Sequence, residues 1–378
     1  MIKDDFLSGI FYSVPNLRFP LYKNKWECKK IKDILKICHG KDYKHLESGK
    51  YPVLGTSGIF TYVNQYLCDW PCALIGRKGA SLDKPHYMDS PFWCVDTLYY
   101  SKPVKNNNPK WQYYLFQTIN WMKMNESSGI PSLRASTIEN IDVFVPSYQE
   151  QSNIVEFLDK IEQRIETQIK IIDDYSSVKD YIIKQCFQKC KEYINLGNLF
   201  KYGKAGGTPK STIKEFYDGN IPFMGISDIT NQGKYISYTS KNITQKGLIN
   251  SSAWLVPKNS LILSMYASVG LPAINKIPLA TSQAMMSMIF DNDLDVEFVY
   301  YYLCYFKKSK IQSLLETGTQ SNINADTVKS IKVPKLKADE KEKITNIFIK
   351  VDQLINNEKE ILNSLQKQKN FLLKNMFV

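Results

Sequence analysis

Arginine is scarce in this chain of 378 residues: only Arg18, Arg77, Arg134 and Arg164 occur. Arg77-Lys78 lies between Gly76 and Gly79, and glycines let a backbone come close to a groove. A guanidinium there can grip guanine O6 and N7 together, whereas a lysine such as Lys78 suits a phosphate; Lys84 is a further candidate DNA contact. Arg134 ends the run Gly129-Ile-Pro-Ser-Leu-Arg134 and is a second candidate, with an ion pair to Glu139 or Asp142 as the structural alternative. In the second half of the chain Thr208 and Lys210 flank Pro209, and Thr244 and Lys246 share a short loop. Hydroxyls and ammonium groups of this kind are common phosphate anchors. Gln283, Gln320 and Asn322 carry the paired donor and acceptor that match an adenine edge, although amides are also ordinary loop caps. Tyr266 can stack or support a loop, and its apolar neighbours favour burial.

Catalytic chemistry is harder to find. No G-x-x-x-x-G-K-[ST] loop is present to cradle a nucleotide, and no N-P-P-[FY] or D-P-P-Y motif of amino-methyltransferases occurs. Asp339-Glu-Lys-Glu-Lys343 reads as the solvated start of a helix rather than a set of nuclease carboxylates. Cys68 and Cys72, like Cys186 and Cys190, have C-x3-C spacing, and Cys38 precedes His39. The second pair falls within an expected helix, and His39, His45 and His86 form no short ligand pair. Reduced, mostly buried thiols are expected, with no metal, no cofactor and no catalytic residue in this chain.

The elements that must hold these residues are announced by an internal repeat. Ala135-Ser-Thr-Ile-Glu-Asn-Ile141 aligns with Ala325-Asp-Thr-Val-Lys-Ser-Ile331, and the match runs without a gap to Phe187 against Phe377. Ile154, Leu158, Ile161, Ile165 and Ile172 fall on Ile344, Phe348, Val351, Ile355 and Leu362. Spacings of four, three and four make the apolar seam of a helix that packs on another helix. Polar interruptions recur too, Gln168 on Glu358 and Lys179 on Lys369, and such groups can set helix register. Ser147 with Glu150 has the form of a capping box, and Asp339 with Glu342 offers a second. Each long helix would leave its stripe in water if alone, so the two are expected to pair. An antiparallel pair would carry the globular segments at opposite ends.

Five segments follow: a lead at 1–24, a domain at 25–147, a helix at 148–190, a second domain at 191–334 and a second helix at 335–378. The fold class expected is α+β, with two globular domains, two long antiparallel helices as a coiled-coil spacer, and a pseudo-twofold repeat. Strand order is not readable from the sequence. The formal net charge is +12, and each domain segment carries +5 of it. Two basic bodies joined by a nearly neutral spacer suit a long polyanion. No window approaches the roughly 18 uninterrupted apolar residues of a membrane span, and the first residues lack the basic start of a secretory leader. A soluble, cytoplasmic protein with no membrane partner is expected.

With those features in place, the chain resembles the specificity subunits of type I restriction–modification enzymes over nearly its whole length. Val14-Pro-Asn-Leu-Arg-Phe-Pro20 with Trp26 resembles that family's lead. Tyr51-Pro-Val-Leu-Gly55, Ile75-Gly-Arg-Lys-Gly79, Phe92-Trp93 and Asp96-Thr97 resemble one subtype of target recognition domain. Gly206-Gly-Thr-Pro209, Ile221-Pro222, Asp228-Ile229, Thr244-Gln-Lys-Gly247 and Thr281-Ser-Gln283 resemble another. One departure is that Gly129-Ile-Pro131 becomes Gly318-Thr-Gln-Ser321 in the second copy. The resemblance implies a non-catalytic reader of double-stranded DNA that recognises a split, asymmetric site. It also implies two methyltransferase (modification) subunits and restriction/translocase subunits as partners, with S-adenosylmethionine, ATP and magnesium belonging to them. Competing readings are the specificity part of a fused restriction–methylation enzyme, a coiled-coil scaffold, and an RNA or single-strand binder.

Overall fold

A computed structural model of the chain describes residues 12–104, 106–266, 268–309 and 322–378. Two compact units make up the fold: Met1–Lys170 with Glu360–Val378, and Ile171–Lys359.

In the first unit, strands β1 (Trp26–Lys30), β2 (Leu35–His39), β3 (Ser48–Gly55), β4 (Gly58–Val63), β5 (Cys72–Gly76), β6 (His86–Met88), β7 (Trp93–Cys94) and β8 (Leu98–Pro103) precede helix α1 (Pro109–Thr118). Helix α2 (Ala135–Glu139) and strand β9 (Asp142–Val145) complete it. Every residue of β5 is buried, so it reads as an unbroken apolar run rather than an alternation. That strand and β8 are the inner members of a sheet ordered β2-β8-β5-β6. A second sheet, β4-β3-β7, joins a hairpin to a parallel strand, and β1 pairs antiparallel with β9. Pro109 at the helix start and the Asn108 side chain, which accepts from the Lys110 and Trp111 backbone N–H groups, begin α1.

The second unit repeats this plan with β10 (Tyr193–Asn195), β11 (Tyr202–Ala205), β12 (Tyr217–Met224), β13 (Tyr235–Ile236), β14 (Lys241–Ile243), β15 (Leu261–Ser264), β16 (Pro272–Asn275), β17 (Ala280–Thr281), β18 (Met285–Ile289) and β19 (Lys332–Pro334). Helices α3 (Asp293–Ser309) and α4 (Ala325–Ser330) take the places of α1 and α2. The sheets are β11-β18-β15-β16-β13 and β14-β12-β17, again with one parallel pair in the latter. Strand β10 pairs with β19 as β1 pairs with β9. The edge strand β13 is the addition.

The long helices expected at 148–190 and 335–378 are Tyr148–Gln188 and Ala338–Met376. Each contributes one part to each unit. Ile154, Leu158, Ile161, Phe348 and Ile355 are buried, and Ile165, Ile172, Ile344, Val351 and Leu362 are half-buried, so the stripe faces inward throughout. Gln168 is buried with them. In the second unit Lys179 bonds Asp352, and Phe187 packs 5.8 Å from Phe348. Partners that descend on one helix as they rise on the other make the pairing antiparallel. In the first unit Lys369 donates to Glu162 Oε1 at 2.6 Å. Lys179 and Lys369 are repeat equivalents, and so are Asp352 and Glu162: one cross-helix ion pair appears twice.

Two expectations about helix starts are corrected. The Ser147 hydroxyl accepts from the Glu150 N–H, but Glu150 does not return the bond. Its carboxylate, almost wholly buried, instead takes two bonds from Arg18 at 2.7 and 2.8 Å, which ties the lead to the helix. A buried charge needs such a partner, and that need outweighs the cap. The second long helix begins at Ala338, so Asp339 lies inside its first turn rather than at its cap. Cys190 lies just past the end of the first long helix rather than inside it. All eight cysteines are free thiols, and Cys68, Cys72 and Cys94 are buried. Among the described residues no helix is long and apolar enough to cross a membrane.

Candidate nucleic-acid interface

In the first unit three stretches meet beyond the end of β5. The Arg77 N–H donates to the Thr97 carbonyl at 2.8 Å, and the Arg77 carbonyl accepts from the Leu133 N–H at 2.9 Å. The Gly79 N–H then reaches the Pro131 carbonyl at 2.9 Å. Gly79 has φ +136°, and a Cβ there would sit 3.0 Å from the Thr56 hydroxyl, so a side chain would be strained and crowded. The loop 129–134 is thus fastened along the Arg-Lys segment, a pairing between residues more than fifty positions apart.

The result is a concavity of about 680 Å³ lined by Arg77, Lys78, Asp96, Ser132 and Arg134, with His39 and Tyr99 also in its wall. Arg77 donates from Nη1 to the Asp96 carbonyl at 3.2 Å, and its guanidinium lies 6.0 Å from the centre of the Tyr99 ring. These contacts hold the arginine without neutralising it, since its partners are a carbonyl and a ring face. Arg134 pairs with Glu126 at 2.8 Å while 79% of its side chain remains exposed. The expected alternatives, Glu139 and Asp142, are not its partner. The sequence candidates Arg77, Lys78 and Arg134 therefore meet in one place, and Lys84, also exposed, lies outside it. Asp96, Ser132, Glu126 and His39 carry no residue-type signal that marks them as site residues in the sequence. Only the Asp96-Thr97 motif hinted at the first of them.

The second unit builds the same frame from different side chains. The Met265 N–H donates to the Ala284 carbonyl at 2.7 Å, and its carbonyl accepts from the Ile323 N–H at 3.0 Å. Met265 therefore stands where Arg77 stands, Tyr266 where Lys78 stands, Gln283 where Asp96 stands, and Asn322 where Ser132 stands. Met265 is buried. Tyr266 is 42% exposed, a correction to the expected burial: its backbone follows the strand out of the core, and Met265 takes the inward position.

Gly206 runs against β17 of the second unit's small sheet, and Gly207 against the Ser252–Ala253 backbone. A Cβ on Gly206 would come within 2.1 Å of the Thr281 carbonyl oxygen, and one on Gly207 within 2.4 Å of the Ala253 nitrogen. This close approach delivers Thr208 to Gln283, and the Thr208 hydroxyl donates to Gln283 Oε1. Lys210 is exposed beyond Pro209. Thr244 and Lys246 are placed apart from this group. The Thr244 hydroxyl donates to the Glu215 carbonyl at 2.7 Å and accepts from the Gly247 N–H at 3.1 Å, so it caps the short helix Gln245–Ile249. Lys246 makes an exposed ion pair with Glu215. Gln320 lies outside the described residues.

Behind each tip a tyrosine couples the sheet-and-helix body to the long helices. Tyr114 donates to Asp159 at 2.6 Å, and Tyr301 donates to Asp352 at 2.6 Å. Burial above all, then the adjacent carboxylate, pushes both phenols far above their ordinary range, so they remain donors. Lys234, 12% exposed, contacts Glu297 at 2.6 Å, and burial pulls its ammonium below the usual lysine range against that pairing. No group of three or more metal-ligating side chains occurs among the described residues.

Known proteins resemble this chain. The specificity subunit of the type I restriction enzyme MjaIX from Methanocaldococcus jannaschii is 30% identical over 220 residues, which is 57% of this chain and 48% of that protein. This chain thus spans about half the length of that relative. The MjaVIII specificity subunit of the same organism is 23% identical over 424 residues, covering 95% of this chain and 93% of the relative. The crystal structure of a type I restriction–modification S subunit from M. genitalium superposes with a TM-score of 0.62 over 97% of this chain and 99% of that one, at 18% identity, a likeness of fold. The family described as the type I restriction modification DNA specificity domain matches residues 23–172 and 189–367, and this chain belongs to that family.

Proposed function

We propose that the chain is the DNA-reading subunit of a type I restriction–modification enzyme. Each unit reads one part of a split, asymmetric duplex site, and the paired helices set the unread gap between the parts. The observation that carries this reading is the duplicated tip: one hydrogen-bonded frame presents arginine and lysine in one unit, and tyrosine and amides in the other. Guanidinium and amide groups are the side chains that discriminate base edges, and lysines such as Lys78, Lys84 and Lys210 supply backbone attraction. Methyl transfer and ATP-driven cleavage belong to two methyltransferase subunits and to restriction/translocase subunits, which bring S-adenosylmethionine, ATP and magnesium. Such a complex works in the cytoplasm, where its DNA is.

A binding competition tests the reading. The chain assembled with its methyltransferase partner is expected to hold a duplex carrying the cognate site far more tightly than a scrambled duplex, a single strand or an RNA. Its affinity should fall with salt in proportion to the phosphates it neutralises. Preference for single strands or RNA, or equal affinity for every duplex, would overturn it; the first outcome favours a stacking binder and the second a scaffold.

A further inference from the structure

The equivalence between Asp96 and Gln283 assigns a job within the second half-site. In the first unit the residue before the frame's central carbonyl offers its own backbone carbonyl to Arg77. In the second unit the arginine's place is taken by the buried Met265, and no charged side chain stands at the positions equivalent to Arg77, Lys78, Asp96 or Arg134. Those positions hold Met265, Tyr266, Gln283 and Asn324. Gln283 is exposed and faces outward from the turn before β18, while Asn324 is spent capping α4 through the Thr327 N–H at 2.8 Å.

We propose that Gln283 reads one adenine in the second half-site and that Thr208 is the positioning residue that orients its amide. This inference rests on the DNA-reading function proposed above. An adenine presents N7 as acceptor and the N6 amino group as donor in the major groove, so the amide must offer its nitrogen to one and its oxygen to the other. A free glutamine amide turns over easily, and turned over it presents the reverse order. The Thr208 hydroxyl donates to Gln283 Oε1 and uses one of that oxygen's two lone pairs. The second lone pair stays open to the adenine N6 amino group, and the Nε2 hydrogens stay open to N7. Thr208 can do this because Gly206 and Gly207 lie too close to Thr281 and to the Ser252–Ala253 backbone for any side chain, which fixes the segment that carries it. Glycine there, hydroxyl next and amide opposite form one device.

The test is methylome sequencing of cells that carry the chain with its partners, comparing wild type with Gln283→Ala, Thr208→Val and Thr208→Ser. Wild type is expected to show a two-part motif with an adenine at a fixed position of the second half-site. Gln283→Ala should lower discrimination at that one position by about 5- to 150-fold and leave every base of the first half-site unchanged. Thr208→Val keeps the shape and removes the donor, so it should relax the same position, and Thr208→Ser should restore it. A variant that fails to fold would methylate nothing, which the serine variant and co-purification with the methyltransferase would expose. An unchanged second half-site in Gln283→Ala, or relaxation at a different position in Thr208→Val, would overturn the assignment while leaving the DNA-reading function intact. A wild type without a two-part motif would instead bring down the function itself.

Discussion

The two units share a backbone and differ at their tips. Arg77 and Met265 make the same pair of main-chain hydrogen bonds, at 2.8 and 2.9 Å in one unit and 2.7 and 3.0 Å in the other, yet one projects a guanidinium and the other a buried thioether. Deeper in, the units agree in chemistry as well: Lys369 with Glu162 repeats Lys179 with Asp352. A frame held by its main chain accommodates side chains as different as Arg77 and Met265, so the chemistry presented there can change. A cross-helix ion pair depends on the side chains themselves, so both members must stay. The comparison teaches that the duplicated protein keeps its chemistry where the helices meet and spends its variation where a ligand would be read.

The comparison can be broken most forcefully at the two equivalent phenylalanines. Phe187 sits among the rings of Phe298, Tyr302, Tyr305 and Phe348, with centroids 5.2–5.8 Å away, while Phe377 stacks on Trp111 at 5.8 Å. Phe187→Ala should cost about 3–5 kcal/mol in denaturant unfolding, and Phe377→Ala less, because its site is less enclosed. Equal losses would show that the extra rings add nothing.

The ion pairs come next. Asp352 faces both Lys179 and Lys234, the latter at 3.7 Å, and accepts from Tyr301. Asp352→Asn should therefore destabilise by about 1–3 kcal/mol, more than Glu162→Gln, because Lys179 loses its counter-charge and Lys234 keeps only Glu297, in a mostly buried place. A larger effect at Glu162 would reverse the ranking drawn from the number of ammonium partners. Smaller on the folding scale, Arg77→Ala should leave stability within about 0.5 kcal/mol while removing about 1–3 kcal/mol of discrimination in the first half-site. Competition binding against single-base variants would show this, and a mutant with unchanged preferences would sink Arg77 as a reader. At the bottom of the scale, Lys246→Ala should change unfolding by less than about 0.5 kcal/mol, since its pair with Glu215 is 73% exposed on both sides. A thermal melt shifted by many degrees would show a role that its surroundings do not suggest.

Much of the architecture was legible because helix seams write themselves into sequence at spacings of three and four. The stripe from Ile154 to Ile172, its copy from Ile344 to Leu362, and even the lysines at 179 and 369 stand out along a single strand of text. Their acidic partners do not, because Glu162 and Asp352 flank the stripe and gain meaning only once the opposite helix is in register. Strand order was illegible for a related reason: β5 and β15 are buried along their whole length, so neither shows the alternation that marks one face of a sheet. At the tips, Arg77, Arg134 and Gln283 could be chosen by residue type. What placed them was long-range main-chain pairing, Leu133 to Arg77 and Ile323 to Met265, which no local pattern encodes. Thr208 has the residue type of a phosphate anchor, and its bond to Gln283 depends on a turn 75 residues away.

Distance as information is the claim to test most directly. Seven residues inserted in register into both long helices, between Lys170 and Ile171 and at the equivalent point after Glu360, preserve the apolar stripe. Methylome sequencing of cells carrying this variant with its partners should return the same two half-site sequences separated by a longer unread gap. The same gap as wild type, or altered half-sites, would contradict the account.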